Sequence, residues 1–168
     1  MNKAVFIDRD GVVNSDEGHY YVYRVEDFVF NPDIEMALSL LKKAGFKTIL
    51  VTNQGGVAKG EYDMEEVQLL HNYMQAQLEK YGAQFNAIYV CPHHHSVSVC
   101  DCRKPKPGMI YQGIRDLNID PRKSFLIGDA DRDIQAGQAA GLRACFKVKK
   151  NSSILAQVEH IISISDKA

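Results

Sequence analysis

Lys3-Ala4-Val5-Phe6-Ile7-Asp8-Arg9-Asp10-Gly11 is an apolar run that breaks abruptly into two carboxylates flanking a cation. Residues 4–7 read as a strand that is apolar nearly throughout, as a strand is when helices cover both faces of its sheet. Similar runs return at 47–51, 87–90, 124–127 and 143–148, with amphipathic stretches between them. That alternation predicts an α/β fold, a Rossmann-like, doubly wound and mainly parallel sheet.

The intervening stretches supply the helices. Between the first two strands, Ile34, Ala37, Leu38, Leu41 and Ala44 recur at helical spacing, and Gly45 stands where a C-terminal cap belongs. Asp63, followed three residues on by Glu66, makes a variant of the capping box. The helix it opens turns Val67, Leu70, Met74 and Leu78 inward and stops near Gly82. Two further helices are expected, over 108–117 and over 131–140 ahead of Gly141. No element is assigned after residue 148. With no repeat, linker or low-complexity tract, residues 1–168 read as a single domain.

The formal net charge of -1 provides no global field to draw the chain to nucleic acid or an anionic membrane. No apolar run approaches the roughly 20 residues that cross a bilayer, and acidic residues follow the first strand at once, unlike a signal peptide. The expectation is a cytoplasmic monomer acting on a small molecule. In that compartment the four cysteines are thiols or metal ligands before they are disulfides.

Three polar clusters each follow a strand: Asp8-Arg9-Asp10-Gly11, Thr52-Asn53-Gln54 and Gly128-Asp129. Ligands of parallel α/β sheets bind beyond the carboxyl ends of the strands, so the three clusters converge on one crevice. Two carboxylates brought that close need a cation or a proton. Magnesium, a hard cation with oxygen ligands, satisfies Asp8 and Asp10 together with Asp129, and screens an incoming phosphate.

Asp8 is then the nucleophile, forming an aspartyl-phosphate. Asp10 is the acid/base that protonates the leaving alcohol and later takes a proton from water. Thr52 and a lysine hold the phosphoryl oxygens, with Asn53 and Gln54 assigned to phosphate and substrate binding beside them. The lysine comes from Arg103-Lys104-Pro105-Lys106, and Lys104 is preferred to Lys106. Asp133 either orients a metal-bound water or favours a helix N-terminus by its charge.

Asp8-Arg9-Asp10-Gly11-Val12-Val13-Asn14, Thr52-Asn53-Gln54, Cys102-Arg103-Lys104-Pro105 and Gly128-Asp129 together resemble the four motifs of the haloacid dehalogenase superfamily. Within it they are similar to the branch of heptose bisphosphate and histidinol-phosphate phosphatases. The resemblance spans residues 3–148 and implies a fold of that type with no large cap domain. It implies that Asp8, the backbone carbonyl of Asp10 and Asp129 hold magnesium, and that Arg103 contacts substrate. Val57-Ala58-Lys59-Gly60 and Pro107-Gly108-Met109 resemble the heptose pattern more than the histidinol one. The implied substrate is therefore a heptose 1,7-bisphosphate losing its 7-phosphate, a step toward lipopolysaccharide precursors, with histidinol phosphate or another small sugar phosphate the alternative.

Cys91-Pro92-His93 and Cys100-Asp101-Cys102 bracket a short segment, so three of the four cysteines fall in the loop 91–102. Three thiolates and an imidazole suit a closed, tetrahedral structural zinc site. His94 and His95 are alternatives to His93 as the fourth ligand, and the family pattern supports Cys91, His93, Cys100 and Cys102. Arg103 and Lys104 follow the last ligand directly, so zinc is expected to fix the loop that aims them. Cys145 reads as a small core residue, and His71 and His160 as structural. Tyr20, Tyr21 and Tyr23 either line the entrance or serve packing.

Two readings from other classes are weighed against an enzyme. A phosphorelay receiver also combines acids, threonine and lysine, but its acceptor aspartate usually lies mid-chain, after an acidic pair at the first strand, whereas here Asp8 lies in the first cluster with Asp10 placed to activate water. An inactive, zinc-organised binding module is opposed by intact nucleophile and acid/base positions.

Overall fold

The computed structural model describes residues 1–167. Its five strands are β1 (Lys3–Ile7), β2 (Phe46–Asn53), β3 (Ala87–Cys91), β4 (Phe125–Gly128) and β5 (Ala144–Lys147). They lie in the order β3-β2-β1-β4-β5 and all pair in parallel. The chain first winds outward from β1 through β2 to β3, then returns to the other side of β1 for β4 and β5. The winding direction reverses between β1 and β4, where the crevice of a doubly wound sheet opens.

Strand periodicity assigns the two faces. Val5 and Ile7 of β1 point to one cluster, which gathers Ile34, Leu38 and Leu41 of α1 (Ile34–Lys43) and Leu70, Met74 and Leu78 of α2 (Met64–Glu79). Ala4 and Phe6 point to the other, with Met109 and Ile110 of α3 (Gly108–Asp116) and Ala136 of α4 (Asp131–Ala139). This is the two-residue alternation of a strand buried on both sides. Right-handed crossovers put helices on opposite faces once the winding reverses.

The expected helices form within about three residues of their predicted ends, the largest difference being α2, which ends at Glu79 and not near Gly82, and the local signals act as read. Asp63 accepts from the Glu66 amide and Glu66 from the Asp63 amide, each at 2.9 Å, closing the capping box. Gly45 follows the cap of α1 with φ +85°, the left-handed conformation that only glycine adopts freely. One further helix, in a stretch to which the sequence reading assigned no element, follows residue 148. Leu155–Ser165 forms α5, which buries Val158 and Ile161 against the α1 face. Among the described residues no helix is long and apolar enough to cross a membrane.

Candidate active site

Four separate segments bring their polar residues to the carboxyl edge of β1 and β4. Asp8 leaves β1, Thr52 ends β2, Lys104 sits on the loop after β3, and Asp129 and Asp133 flank the turn from β4 into α4. Lys104 is only 2% exposed, and its ammonium donates to Asp8 and to the Val51 carbonyl and forms an ion pair with Asp133. Nζ lies 2.7 Å from Asp8 Oδ1, 2.7 Å from Asp133 Oδ1 and 2.9 Å from the Val51 carbonyl. Lys106 instead donates to the Cys100 carbonyl, so Lys104 is the lysine that meets Asp8.

Carboxylate oxygens of Asp8, Asp129 and Asp133 all lie within 4.8 Å of one another, and Asp129 Oδ1 is buried with no hydrogen-bond partner. Burial pushes the Asp8 carboxyl up to about 8 against the pull of the Lys104 ammonium, with Asp133 and Asp129 pushing the same way as burial. One ammonium does not neutralise three clustered carboxylates, so the residues fit a divalent cation with oxygen ligands. Gly11 makes room for this cluster. Its φ is +86°, and a Cβ there would lie 2.2 Å from Asp129 Oδ2.

Asp133 serves both ends of its environment: Oδ2 accepts from the Ala130 amide at the start of α4 at 3.1 Å, and Oδ1 faces Lys104. The Asp10 carboxylate stands apart from the cluster. Oδ1 accepts from Arg9 Nη2 at 2.8 Å and Asn14 Nδ2 at 3.0 Å, and Oδ2 from Gln54 Nε2 at 3.1 Å. Burial alone would raise this carboxyl, but the Arg9 guanidinium and the hydrogen bonds of Arg9, Asn14 and Gln54 hold it below the usual carboxylate range.

Asn53 and Gln54, expected to bind phosphate and substrate, line the crevice but engage their amides within the protein. Asn53 Oδ1 accepts from the Lys104 amide at 3.1 Å and Nδ2 donates to the Lys104 carbonyl at 3.2 Å. The β2 end thus clamps the backbone of the lysine. Gln54 Nε2 donates to Thr52 Oγ1 at 2.9 Å as well as to Asp10.

Arg9 is the residue that sequence reasoning passed over. A charged residue between two aspartates reads as a solvated turn, yet it is 0% exposed. Its guanidinium reaches Asp10, the Val22 carbonyl and His71 Nε2, the last at 3.1 Å. Since a guanidinium only donates, His71 accepts at Nε2 and is neutral. Burial, then the Arg9 charge, pushes the His71 imidazole down to about 3.

A pH dependence follows. Between pH ~6.5, the unfolded value, and pH ~3 the unfolded chain binds a proton that the folded one excludes, so stability falls as pH falls through that window. His71→Gln keeps an acceptor and removes the titration. The stability lost by wild type between pH 7 and pH 5, measured by urea unfolding, should exceed that of the variant by about 2 kcal/mol. Equal losses would refute this assignment.

In the loop 91–102, the four sulfur and nitrogen ligand atoms of Cys91, His93, Cys100 and Cys102 lie within 4.8 Å of one another. Cys91 and Cys100 Sγ are 3.7 Å apart, and His93 Nδ1 lies 3.2 Å from Cys102 Sγ. All four cysteines of the chain are free thiols. A soft set of three sulfurs and one nitrogen gathered in this way fits a zinc ion by the chemistry of its donors, and on binding one the Cys91 and Cys102 sulfurs, 2.8 Å apart here, would stand further from each other. His94 Nδ1 is instead engaged by Ser96, and the His94 ring lies tilted against His95 with centroids 4.2 Å apart, leaving His93 as the histidine at the cysteines. Arg103 Nη1 donates to the His93 carbonyl at 3.0 Å, tying the loop to the crevice. Cys145, in contrast, packs in the α3/α4 cluster, and burial pushes its thiol up to about 11.

The crevice beside Asp10 and Asp129 has a volume of about 340 Å³ and is rimmed by Tyr20, Tyr21, Arg103, Arg132 and Lys150. Tyr20 and Tyr21 thus sit at the entrance. Tyr23 instead stacks on Tyr62, with ring centroids 4.8 Å apart.

A family model for HAD-hydrolase-like proteins matches residues 101–161. The D-glycero-beta-D-manno-heptose-1,7-bisphosphate 7-phosphatase of Haemophilus ducreyi is 42% identical over 94% of this chain and 88% of its own length. The D-glycero-alpha-D-manno-heptose-1,7-bisphosphate 7-phosphatase of Photorhabdus laumondii is 38% identical over 88% of this chain and 82% of its own. Among solved structures, D,D-heptose 1,7-bisphosphate phosphatase from B. bronchiseptica, complexed with magnesium and phosphate, matches with a TM-score of 0.85 at 29% identity, covering 96% of this chain and 98% of that one. Similarity of this extent, over a shared parallel sheet and nearly the whole sequence, shows the family: the chain belongs to the haloacid dehalogenase-type hydrolases, among the heptose 1,7-bisphosphate 7-phosphatases.

Proposed function

We propose that this chain removes the 7-phosphate of D-glycero-D-manno-heptose 1,7-bisphosphate by way of an aspartyl-phosphate at Asp8. The observation that carries the chemistry is the meeting of Asp8 with Lys104 at 2.7 Å beside Asp129, at the edge where the winding reverses. A carboxylate oxygen of Asp8 attacks phosphorus and the bond from phosphorus to the sugar oxygen breaks. Asp10 gives its proton to that departing oxygen. It then takes a proton from water, whose oxygen attacks phosphorus to release phosphate and restore Asp8.

Asp10 needs a proton for the first step. A phosphate arriving beside it disfavours the charged carboxylate and raises its affinity for one. Lys104 and the Thr52 hydroxyl hold the phosphoryl oxygens. Asp8 and Asp129 would hold magnesium with the Asp10 carbonyl. When bound, the cation draws charge from the phosphoryl group and leaves Asp8 ionised.

The substrate assignment is supported by what the relatives are named for and by the three cations at the rim. Arg103, Arg132 and Lys150 suit a substrate that keeps a second phosphate after the first departs. We place the enzyme in the cytoplasm, as a monomer.

The deciding experiment compares phosphate release from heptose 1,7-bisphosphate, histidinol phosphate and fructose 1,6-bisphosphate with magnesium present. The highest kcat/KM is expected for the heptose. Faster turnover of histidinol phosphate would overturn the substrate.

Cys91, His93, Cys100 and Cys102 would hold zinc as a scaffold that does no chemistry. Because Arg103 bonds the His93 carbonyl, loss of zinc frees the arginine. Chelation with magnesium resupplied should raise KM about tenfold, in the range typical of disturbed metal-site support. Amide exchange over 91–103 should quicken as well. If neither changed, the scaffold role would be wrong.

A further inference from the structure

Gln54 stands between the two sides of the proposed chemistry, and what holds Gln54 is a phenol. Tyr62, 5% exposed, donates its hydroxyl to Gln54 Oε1 at 2.5 Å. The ring is wedged in place. Tyr23 stacks on it at 4.8 Å with the planes 6° apart, and Tyr21 meets it edge-on at 5.5 Å. On the far side Gly56 leaves the space, since a Cβ there would lie 2.3 Å from the Tyr62 ring. Burial pushes the phenol far above its ordinary value, so it remains a donor.

The direction of every hydrogen bond in this chain is determined. A phenol donating to Gln54 Oε1 leaves only Nε2 to face Asp10 Oδ2 and Thr52 Oγ1. The flipped amide would set its carbonyl oxygen against the Asp10 carboxylate, acceptor against acceptor. With Nε2 on its oxygen, Thr52 accepts from inside the protein, and its one hydroxyl proton is free to donate into the crevice.

We propose that Tyr62 is a positioning residue for this phosphatase: through Gln54 it fixes the Asp10 carboxylate and turns the Thr52 hydroxyl outward as a donor to the phosphoryl group. The proposal rests on the roles given above to Asp10 and Thr52. The Tyr62 ring lines the crevice, but its hydroxyl is engaged by Gln54 and not by the reacting atoms, so the effect of that hydroxyl falls on the chemical step and spares binding. The tyrosine cluster is thereby divided: Tyr20 and Tyr21 stand at the entrance, and Tyr23 stacks on Tyr62, whose ring lines the crevice and whose hydroxyl holds Gln54.

Tyr62→Phe keeps the ring and its stacking and removes only the hydroxyl. Losing one hydrogen bond that matters in the transition state is expected to lower kcat about tenfold. KM should stay within about twofold, because binding is unchanged. Gln54→Leu removes the relay itself, and adding Tyr62→Phe to it should lower kcat no further. The Gln54 side-chain amide protons, observed by NMR, should exchange with solvent faster in Tyr62→Phe.

Assays with heptose 1,7-bisphosphate and with p-nitrophenyl phosphate in parallel separate the two levels. If neither ester is turned over through Asp8, the functional reading fails. If either is, and Tyr62→Phe retains wild-type kcat or multiplies in full with Gln54→Leu, the positioning role of Tyr62 is overturned.

Discussion

Asp8→Asn should lower kcat by about 10⁴-fold or more while leaving the fold at least as stable as the metal-free wild type. Asparagine has the same shape as aspartate, but its amide is no nucleophile toward phosphorus, so the route through an aspartyl-phosphate closes. Stability should move the other way. In the metal-free protein the Asp8 carboxyl is pushed up to about 8, by burial against the pull of Lys104, with Asp133 and Asp129 adding to it. A carboxyl whose folded value lies above its unfolded one favours the fold while protonated and loses that advantage as pH rises between the two. At pH 7 wild-type Asp8 therefore weakens the metal-free fold. Asparagine removes the titration and leaves Lys104 its ion pair with Asp133 and its hydrogen bond to the Val51 carbonyl.

Thermal melting of both proteins in a chelator should give the higher midpoint to the variant. Rapid quenching of wild type during turnover, with peptide mapping, should find phosphate on the peptide that contains Asp8. Retained wild-type speed in the variant, or an adduct on another residue, would end the case for this nucleophile.

How far these residues were legible from the chain alone depends on whether their signal is local. Strand ends followed by Asp8, Thr52 and Asp129 are local patterns, and the parallel sheet then brings them together by rule. The Asp63–Glu66 box and Gly45 are local too, and both formed as read. Arg9 was not legible, because what buries it lies at Val22 and His71, far along the chain. Tyr62 was hidden for another reason: Gln54 is close by in sequence, but no local pattern indicates that the loop between them turns the Tyr62 hydroxyl back onto it.

The helix α5 was missed on other grounds. Ile154, Val158 and Ile161 do have helical spacing, but the segment is rich in β-branched residues of modest helix propensity. Packing against α1 decides its form. The choice among His93, His94 and His95 had no local answer either, since all three are adjacent. Only the loop's path brings His93 to the cysteines.

Lys104→Met should lower kcat/KM by about 10³-fold, near the upper end for removing one preorganised charge donor from a transition state. Methionine matches the length and apolar stem of lysine, so the change is essentially one of charge and hydrogen bonding. In wild type, three clustered carboxylates face one buried ammonium. A divalent cation added to that ammonium brings the site to neutrality, and the phosphoryl group enters without net repulsion. Without the ammonium, Asp8 and Asp133 are left buried with no cation between them, and breaking such a pair costs about 3–5 kcal/mol of metal-free stability.

The same excess of negative charge acts in the opposite direction on metal binding. Magnesium should bind the variant more tightly than wild type and raise its melting temperature by a larger increment, even though turnover has collapsed. A residue that merely shaped the loop would lose metal affinity and activity together. Asn53 gives an internal check, because it holds the backbone of residue 104 from both sides and is untouched by the substitution. Calorimetric titration of magnesium into both proteins distinguishes the two accounts: weaker binding to Lys104→Met, or a variant with wild-type kcat/KM, would remove Lys104 from the charge balance of the site.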